Sequence, residues 1–234
     1  MGRGKRRDRA QAPARQRAPQ LSTQPDGTRR WLDDDGRLHR EDGPALEWAD
    51  GTREWYRGGQ LHREDGPAVE RPNGACEWYL NGKLHREDGP AVERPDGGLR
   101  EWYRSGKLHR EDGPAREWCP DGTREWYLNG LLHREDGPAV EWEDGLREWY
   151  RSGKLHREGG PAVEEPLGER LWCREGKLHR EDGPAVELPD GTREWHLEGR
   201  ELDEDEWAAE LWMRDTGGQV VPPGPRARPS GLTG

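Results

Sequence analysis

The sequence predicts an all-β protein, an elongated single-layer stack of antiparallel β-hairpin repeats of about 23 residues each, closed by a short C-terminal helix. Three observations carry that prediction. The octet LHREDGPA begins at Leu38 and returns at Leu61, Leu84, Leu108, Leu132 and Leu178, with a near-copy, LHREGGPA, at Leu155. Its histidines, His39, His62, His85, His109, His133, His156 and His179, are separated by 23, 23, 24, 24, 23 and 23 residues. Short β-favouring pieces such as REWY and PAVEW, too short for helices, lie between three turn signals in each unit.

The unit reads D-G-T-R-E-W-Y-x-N-G-K-L-H-R-E-D-G-P-A-V-E-x-P. Asp-Gly or Asn-Gly opens it, and Asn-Gly or Ser-Gly follows the aromatics, as in EWYLNGKLH at Glu77 and EWYRSGKLH at Glu101. Both residues of Asn-Gly tolerate positive φ, which marks a two-residue hairpin. Asp-Gly-Pro inside the octet is the third turn. Its Gly is expected to supply unusual dihedrals, its Pro to fix φ and its Asp to bond its own turn. The 24-residue spacings come from single extra residues, Gly98 and one around Cys119–Pro120, both beside the P-D-G turn. Loops accept insertions and strands do not, so P-D-G is one hairpin loop and N-G the other. A two-residue loop at Asn81–Gly82 places Tyr79 opposite Leu84 and Trp78 opposite His85. It also sets Glu77 against Arg86, an ion pair expected in most units and worth at most about 1 kcal/mol each.

Composition pulls two ways. Leu and Val together make 29 of 234 residues, with no Ile and no Phe, and the net charge is −10. That combination favours disorder. Thirteen Trp and five Tyr oppose it, because a large ring buries roughly 150–250 Å². Trp55, Trp78, Trp102, Trp126 and Trp149 also hold one register, which an unfolded chain has no reason to keep.

Four segments follow. Residues 1–25 carry seven Lys/Arg against one Asp and read as a disordered basic tail. Residues 26–200 hold seven repeats and a partial eighth. Residues 201–216 read as an amphipathic capping helix: Asp203 and Glu206 have capping-box spacing, and Trp207, Ala208, Leu211 and Trp212 form one stripe. Such a helix covers an otherwise open strand edge. Residues 217–234 form a second, Pro/Gly-rich loose tail. Cys76, Cys119 and Cys173 occupy unrelated register positions, which argues against a disulfide framework or zinc site and for a reducing compartment. No apolar window suits a signal peptide or membrane span, so a cytoplasmic location is expected.

The period, the N-G-K-x-H core (Asn81, Gly82, Lys83, His85) and the opening Asp-Gly resemble the MORN repeat, and more closely the MORN-variant repeats of uncharacterised bacterial and phage proteins. The likeness runs from about Asp26 to Gly199. Glu77, Glu101 and Glu125 stand where that family has Gly in its first strand, and H-R-E-D-G-P replaces H-G-x-G, which marks a divergent subclass. The resemblance implies a hairpin ribbon and a scaffold or binding role. Some MORN-variant proteins are antitoxin-like, and an antitoxin or immunity role is one alternative here.

The octet's His, Arg, Glu and Asp could suggest chemistry. Equivalent histidines in successive two-strand units would lie about 10 Å apart, too far to share a metal ion. Catalysis needs one differentiated pocket, whereas the octet offers near-identical copies. No enzyme activity and no cofactor are expected. The histidines are instead expected to pack against Trp and to bond a turn backbone group or the Asp. His196, standing where a Tyr normally stands, reads as terminal drift.

The two tails carry +6 and +2 and residues 201–215 carry −6, so the total of −10 leaves −12 on residues 26–200. That acidic platform repels phosphate. Nucleic-acid contact, the other alternative, is therefore expected only through Arg3, Lys5, Arg6, Arg7 and Arg9. The leading expectation is a non-enzymatic scaffold binding another macromolecule, most plausibly a protein. Specificity would lie at the positions that vary on a fixed frame: Arg57, Leu80, Arg104, Leu128 and Arg151 at the hairpin loops, with Arg116 in place of the usual Val. The partner and oligomeric state are not specified by sequence.

Overall fold

The computed structural model describes residues 18–95 and 98–217. It is built from antiparallel β-hairpins with one C-terminal helix, and it divides into two compact units, Met1–Lys83 and Leu84–Gly234. The first unit holds a meander of strands Gln20–Thr23, Arg29–Leu32, Leu46–Glu47, Arg53–Glu54, Val69–Glu70 and Cys76–Glu77, each paired to the next. The second continues the same plan from Val92–Arg94 through Arg193–Leu197.

Each complete repeat adds two strands to this ladder and one smaller hairpin beside it, such as Tyr56–Arg57 with Gln60–Leu61 or Tyr150–Arg151 with Lys154–Leu155. The Trp between them is the switch point. Trp55 donates its N–H to the Ala68 carbonyl on the ladder side, and its own carbonyl accepts from His62 N in the small hairpin. Tyr stands opposite Leu in these hairpins, as the spacing predicts: Tyr56 with Leu61, Tyr127 with Leu132. Both loop residues have positive φ, including Asn129 at 55° and Gly130 at 85°, which is the twist that suits a two-residue hairpin. Each loop glycine then donates to the octet Leu one repeat earlier, as Gly130 N does to Leu108 O at 2.8 Å.

Two loops depart from the favoured residues. Glu175 (φ 51°) and Glu198 (φ 53°) occupy the position held by Asn81 and Asn129, by Ser105 and Ser152 and by Gly58 in the other repeats. A side chain with no local bond to offer is strained there by about 1 kcal/mol. Glu175→Asn and Glu198→Asn are each expected to raise stability by about 0.5–1 kcal/mol, read as a higher urea midpoint with an unchanged m-value.

The core is thin and made of small residues. Ala45, Ala68, Ala91, Ala115, Ala139, Ala162 and Ala185, the last residue of each octet, are fully buried, and the following Val or Leu is buried at all but Arg116. A ladder of two-residue strands has no room for larger apolar side chains at the Ala position, which explains the low aliphatic content.

Four expectations are corrected. Residues 20–23, assigned to the basic tail, form a strand paired with Arg29–Leu32, because the Asp26–Gly27 turn joins two strands and needs one before it as well as after it. The extra residues near Gly98 and Cys119 do more than enlarge a loop: strands Val92–Arg94, Leu99–Glu101, Arg116–Trp118 and Thr123–Glu125 pair over three residues, against two in Val140–Glu141. The octet Gly has no positive φ; its role is steric, as described below. The expected Glu–Arg cross-strand pair does not form at Glu54 and Arg63. The strand breaks at Trp55 between them, and Arg63 N turns to the Tyr79 carbonyl of the following repeat.

The helix runs Glu204–Thr216 with the expected capping box: Asp203 accepts from Glu206 N, and Glu206 accepts from Asp203 N. Trp207 Nε1 donates to the Arg180 carbonyl at 2.9 Å, and Glu210 pairs with Arg200 and Arg214. The helix packs on strands Arg193–Leu197 and Arg200–Leu202, where Leu197 is fully buried. No helix among the described residues is long and apolar enough to cross a membrane.

Candidate functional site: the recurring octet groove

The octet Arg is a hub. Arg63 lies over the Trp55 ring at 4.1 Å from its centroid, donates from Nε to Asp65 (3.0 Å), and donates from Nη1 to the Pro67 carbonyl (3.2 Å) and Glu70 (2.8 Å). The same arrangement holds at Arg134 with Trp126, Asp136, Pro138 and Glu141. Arg40, Arg110, Arg157 and Arg180 stack likewise on Trp31, Trp102, Trp149 and Trp172. This is why Gly precedes Pro in the octet: a Cβ on Gly66 would sit 2.8 Å from Arg63 Cζ. The guanidinium therefore folds back beneath the loop, while the Asp65 side chain, 87% exposed, points outward. Arg63 beside it holds the Asp65 carboxyl below the usual range.

The octet histidines serve the frame. Nδ1 of His39, His62, His85, His109, His133, His156 and His179 accepts a backbone N–H from the next repeat's hairpin loop, at Gly58, Asn81, Ser105, Asn129, Ser152, Glu175 and Glu198, over 3.1–3.2 Å. The expected bond to a turn backbone group is thus made, across repeats. Nε2 approaches Glu rather than Asp, as at His62 and Glu64 (3.3 Å). Among the described residues no group of three or more His, Cys, Asp or Glu side chains is placed to hold a metal ion.

Between successive octets the chain leaves an open groove. In the first unit it has a volume of about 630 Å³ and is lined by Trp55, Arg57, His62 and the two octet loops around Arg40 and Arg63. The second unit repeats it at Trp102, Arg104 and His109 (about 460 Å³) and at Trp149, Arg151 and His156 (about 750 Å³). One face of each indole carries its own octet Arg. Among the described residues none accepts a hydrogen bond from Nε1 of Trp55, Trp102 or Trp149, whereas Trp48 donates to Glu54 and Trp207 to the Arg180 carbonyl.

Three of the variable residues, Arg57, Arg104 and Arg151, are thus groove walls. Each guanidinium reaches its own repeat's His Nε2 at 3.3 Å and that octet's Glu at 3.3–3.6 Å, and each side chain is more than half exposed. Leu80 and Leu128 hold the same register and are half-buried. Arg174 holds the same register and makes the same contacts, and the motif reading missed it. It stands 2.9 Å from His179 Nε2, and its identity of register with Arg151 could have disclosed it.

Arg116 lies elsewhere. It replaces Val on the ladder's inner face, half-buried, and bridges Glu101 (2.7 Å) and Glu125 (3.1 Å) on the two flanking strands. Arg3, Lys5, Arg6, Arg7 and Arg9 fall outside the described residues.

No family model and no curated protein matches the chain.

Glu148 holds the register of Glu101 and Glu125, the partners of Arg116, but faces Val140 and Val163 with no cation opposite, and burial raises its pKa above the ordinary 4.5. A raised carboxyl pKa means that the contribution of Glu148 to stability is fully present below pH 4.5 and is lost as pH rises through the folded value. Glu148→Gln is therefore expected to stabilise the protein at pH 7 and to leave it unchanged near pH 4, as measured by urea unfolding at both.

Proposed function

We propose that this protein is a non-enzymatic scaffold that binds a protein partner along its octet grooves, the octet supplying a constant frame and the hairpin-loop position supplying selectivity. The observation that supports this reading is that the residue which changes between repeats, Arg57, Leu80, Arg104, Leu128, Arg151, is the one that walls the groove where it is Arg, while the residues that repeat are bonded to one another. Swapping Arg for Leu alters groove charge and shape and gives up exposed contacts to His Nε2 and Glu, while the His Nδ1 and octet-Arg bonds of the frame do not depend on it, which is how repeat proteins separate stability from specificity. The resemblance to MORN-variant repeats favours the same reading, and the unrelated register positions of Cys76, Cys119 and Cys173 suit a reducing, cytoplasmic setting. Exposed carboxylates at every octet disfavour nucleic acid as the partner of these repeats.

The test is affinity capture with the full chain and with a triple variant, Arg57→Ala, Arg104→Ala and Arg151→Ala. The variant should keep its circular dichroism spectrum and lose the protein that the wild type retains. An unchanged captured protein would contradict the assignment.

A further inference from the structure

The position that walls the groove alternates along the chain: Arg57, Leu80, Arg104, Leu128, Arg151. The last three follow one another within the Leu84–Gly234 unit, and the two residue types call for opposite charges in a ligand. Arg104 and Arg151 line open grooves and direct Nη1 at their own repeat's His and Glu. Among the described residues nothing accepts from Nε or Nη2 of either. That edge of a guanidinium holds a carboxylate through two parallel N–H donors. Leu128 takes the cation away. The Arg110 octet lies against its strand, with Arg110 N donating to the Tyr127 carbonyl at 3.1 Å, and its own repeat supplies the Arg134 octet. Glu111, Asp112, Glu135 and Asp136 on those two loops are 72–92% exposed, so this position takes a cation.

Spacing decides the form of the ligand. Each repeat adds two ladder strands ~4.8 Å apart, a rise of roughly 9.6 Å per groove. A polyproline II segment rises ~3.1 Å per residue with three residues per turn, so its side chains realign about every 9.3 Å. Across three grooves it slips by about 0.6 Å. An α-helix realigns at seven residues, about 10.5 Å, and slips by about 1.8 Å. The third residue of a β-strand reaches about 10 Å but points to the opposite face. The groove walls suit polyproline II as well, because aromatic side chains receive proline rings. Trp102 and Trp149 add Nε1–H groups that no described residue accepts, which match the carbonyls of a segment without internal hydrogen bonds.

We propose that the positions of Arg104, Leu128 and Arg151 bind a polyproline II segment of the protein partner in which an acidic, a basic and an acidic side chain follow one another at every third residue. The carboxylates meet Arg104 and Arg151, the cation meets the octet carboxylates around Leu128, and prolines between them lie on the indoles. The proposal rests on the reading of the grooves as binding sites and names the chemistry of the partner.

The experiment is calorimetric titration of the full chain with two synthetic peptides of one composition. PPEPPRPPEPP carries its charges three residues apart, and PPEPRPPPEPP carries the same charges two and four apart. The first should bind at least about tenfold more tightly, since only it brings both carboxylates and the cation to one face. A variant carrying Arg104→Glu and Arg151→Glu should bind PPEPPRPPEPP at least about tenfold more weakly than the wild type does, and PPRPPRPPRPP at least about tenfold more tightly. Its circular dichroism spectrum should match the wild type; if the variant does not fold, the peptide pair on the wild type decides alone. Equal affinity for the two isomeric peptides, or binding of neither, would overturn the proposal. So would a folded variant that binds PPEPPRPPEPP as the wild type does. None of these results bears on capture of a protein by the full chain and its loss on alanine substitution at Arg57, Arg104 and Arg151, so the scaffold reading stands or falls separately.

Discussion

Replacing Arg134 with lysine is expected to destabilise the protein by about 2–3 kcal/mol, although charge and length are nearly kept. Lysine has no planar fork, and Arg134 uses its fork fully: Nε to Asp136 at 2.9 Å, Nη1 to the Pro138 carbonyl at 3.2 Å and to Glu141 at 3.1 Å, with the guanidinium 4.0 Å above the Trp126 ring. The stacking contributes about 0.5–2 kcal/mol. The bond to the Pro138 carbonyl contributes about 1 kcal/mol or more. Asp136 is too exposed for its ion pair to add much. The measurement is urea unfolding of the full chain.

A larger loss is expected from Ala139→Leu. Ala139 has no exposed surface, its N–H donates to the Glu148 carbonyl at 2.8 Å, and its carbonyl accepts from Trp126 N at 2.8 Å. The backbone is pinned to both neighbouring segments and cannot move to admit three more carbons. Overpacking of this kind costs about 3 kcal/mol or more when the site cannot relax. Hydrogen exchange should show the lost protection centred on strands Thr123–Glu125, Val140–Glu141 and Arg147–Glu148, since repeats communicate mainly with their neighbours. A uniform loss across the chain would speak against that localisation.

Much of this architecture is written in local signals. Asn129–Gly130 specifies a hairpin loop through its tolerance of positive φ, Gly153 does so after Ser152, and the Tyr–Leu pairing follows from loop length alone. Asp203 and Glu206 likewise mark the helix start without tertiary information. What was not legible depends on where the chain changes partners. Residues Glu54 and Arg63 look paired by strand arithmetic, and only the switch at Trp55 separates them. The octet Gly suggests a dihedral requirement, and only the position of Arg63 shows that its missing Cβ is what matters. Arg116 varies from copy to copy as a specificity residue would, yet it neutralises two strand glutamates. Variation in a repeat can thus serve compensation inside the sheet as well as the selectivity proposed for the groove, and the strand or loop position of the residue separates the two.

The central claim is that the repeated residues hold the frame while the varying loop residues are free to serve binding. Urea unfolding of Arg134→Ala and Arg151→Ala, measured side by side, tests it most directly. Arg134→Ala should cost about 3 kcal/mol, and Arg151→Ala, at an exposed groove wall, should change stability by no more than about 0.5 kcal/mol. Equal losses at the two positions, or a neutral Arg134→Ala, would contradict the account.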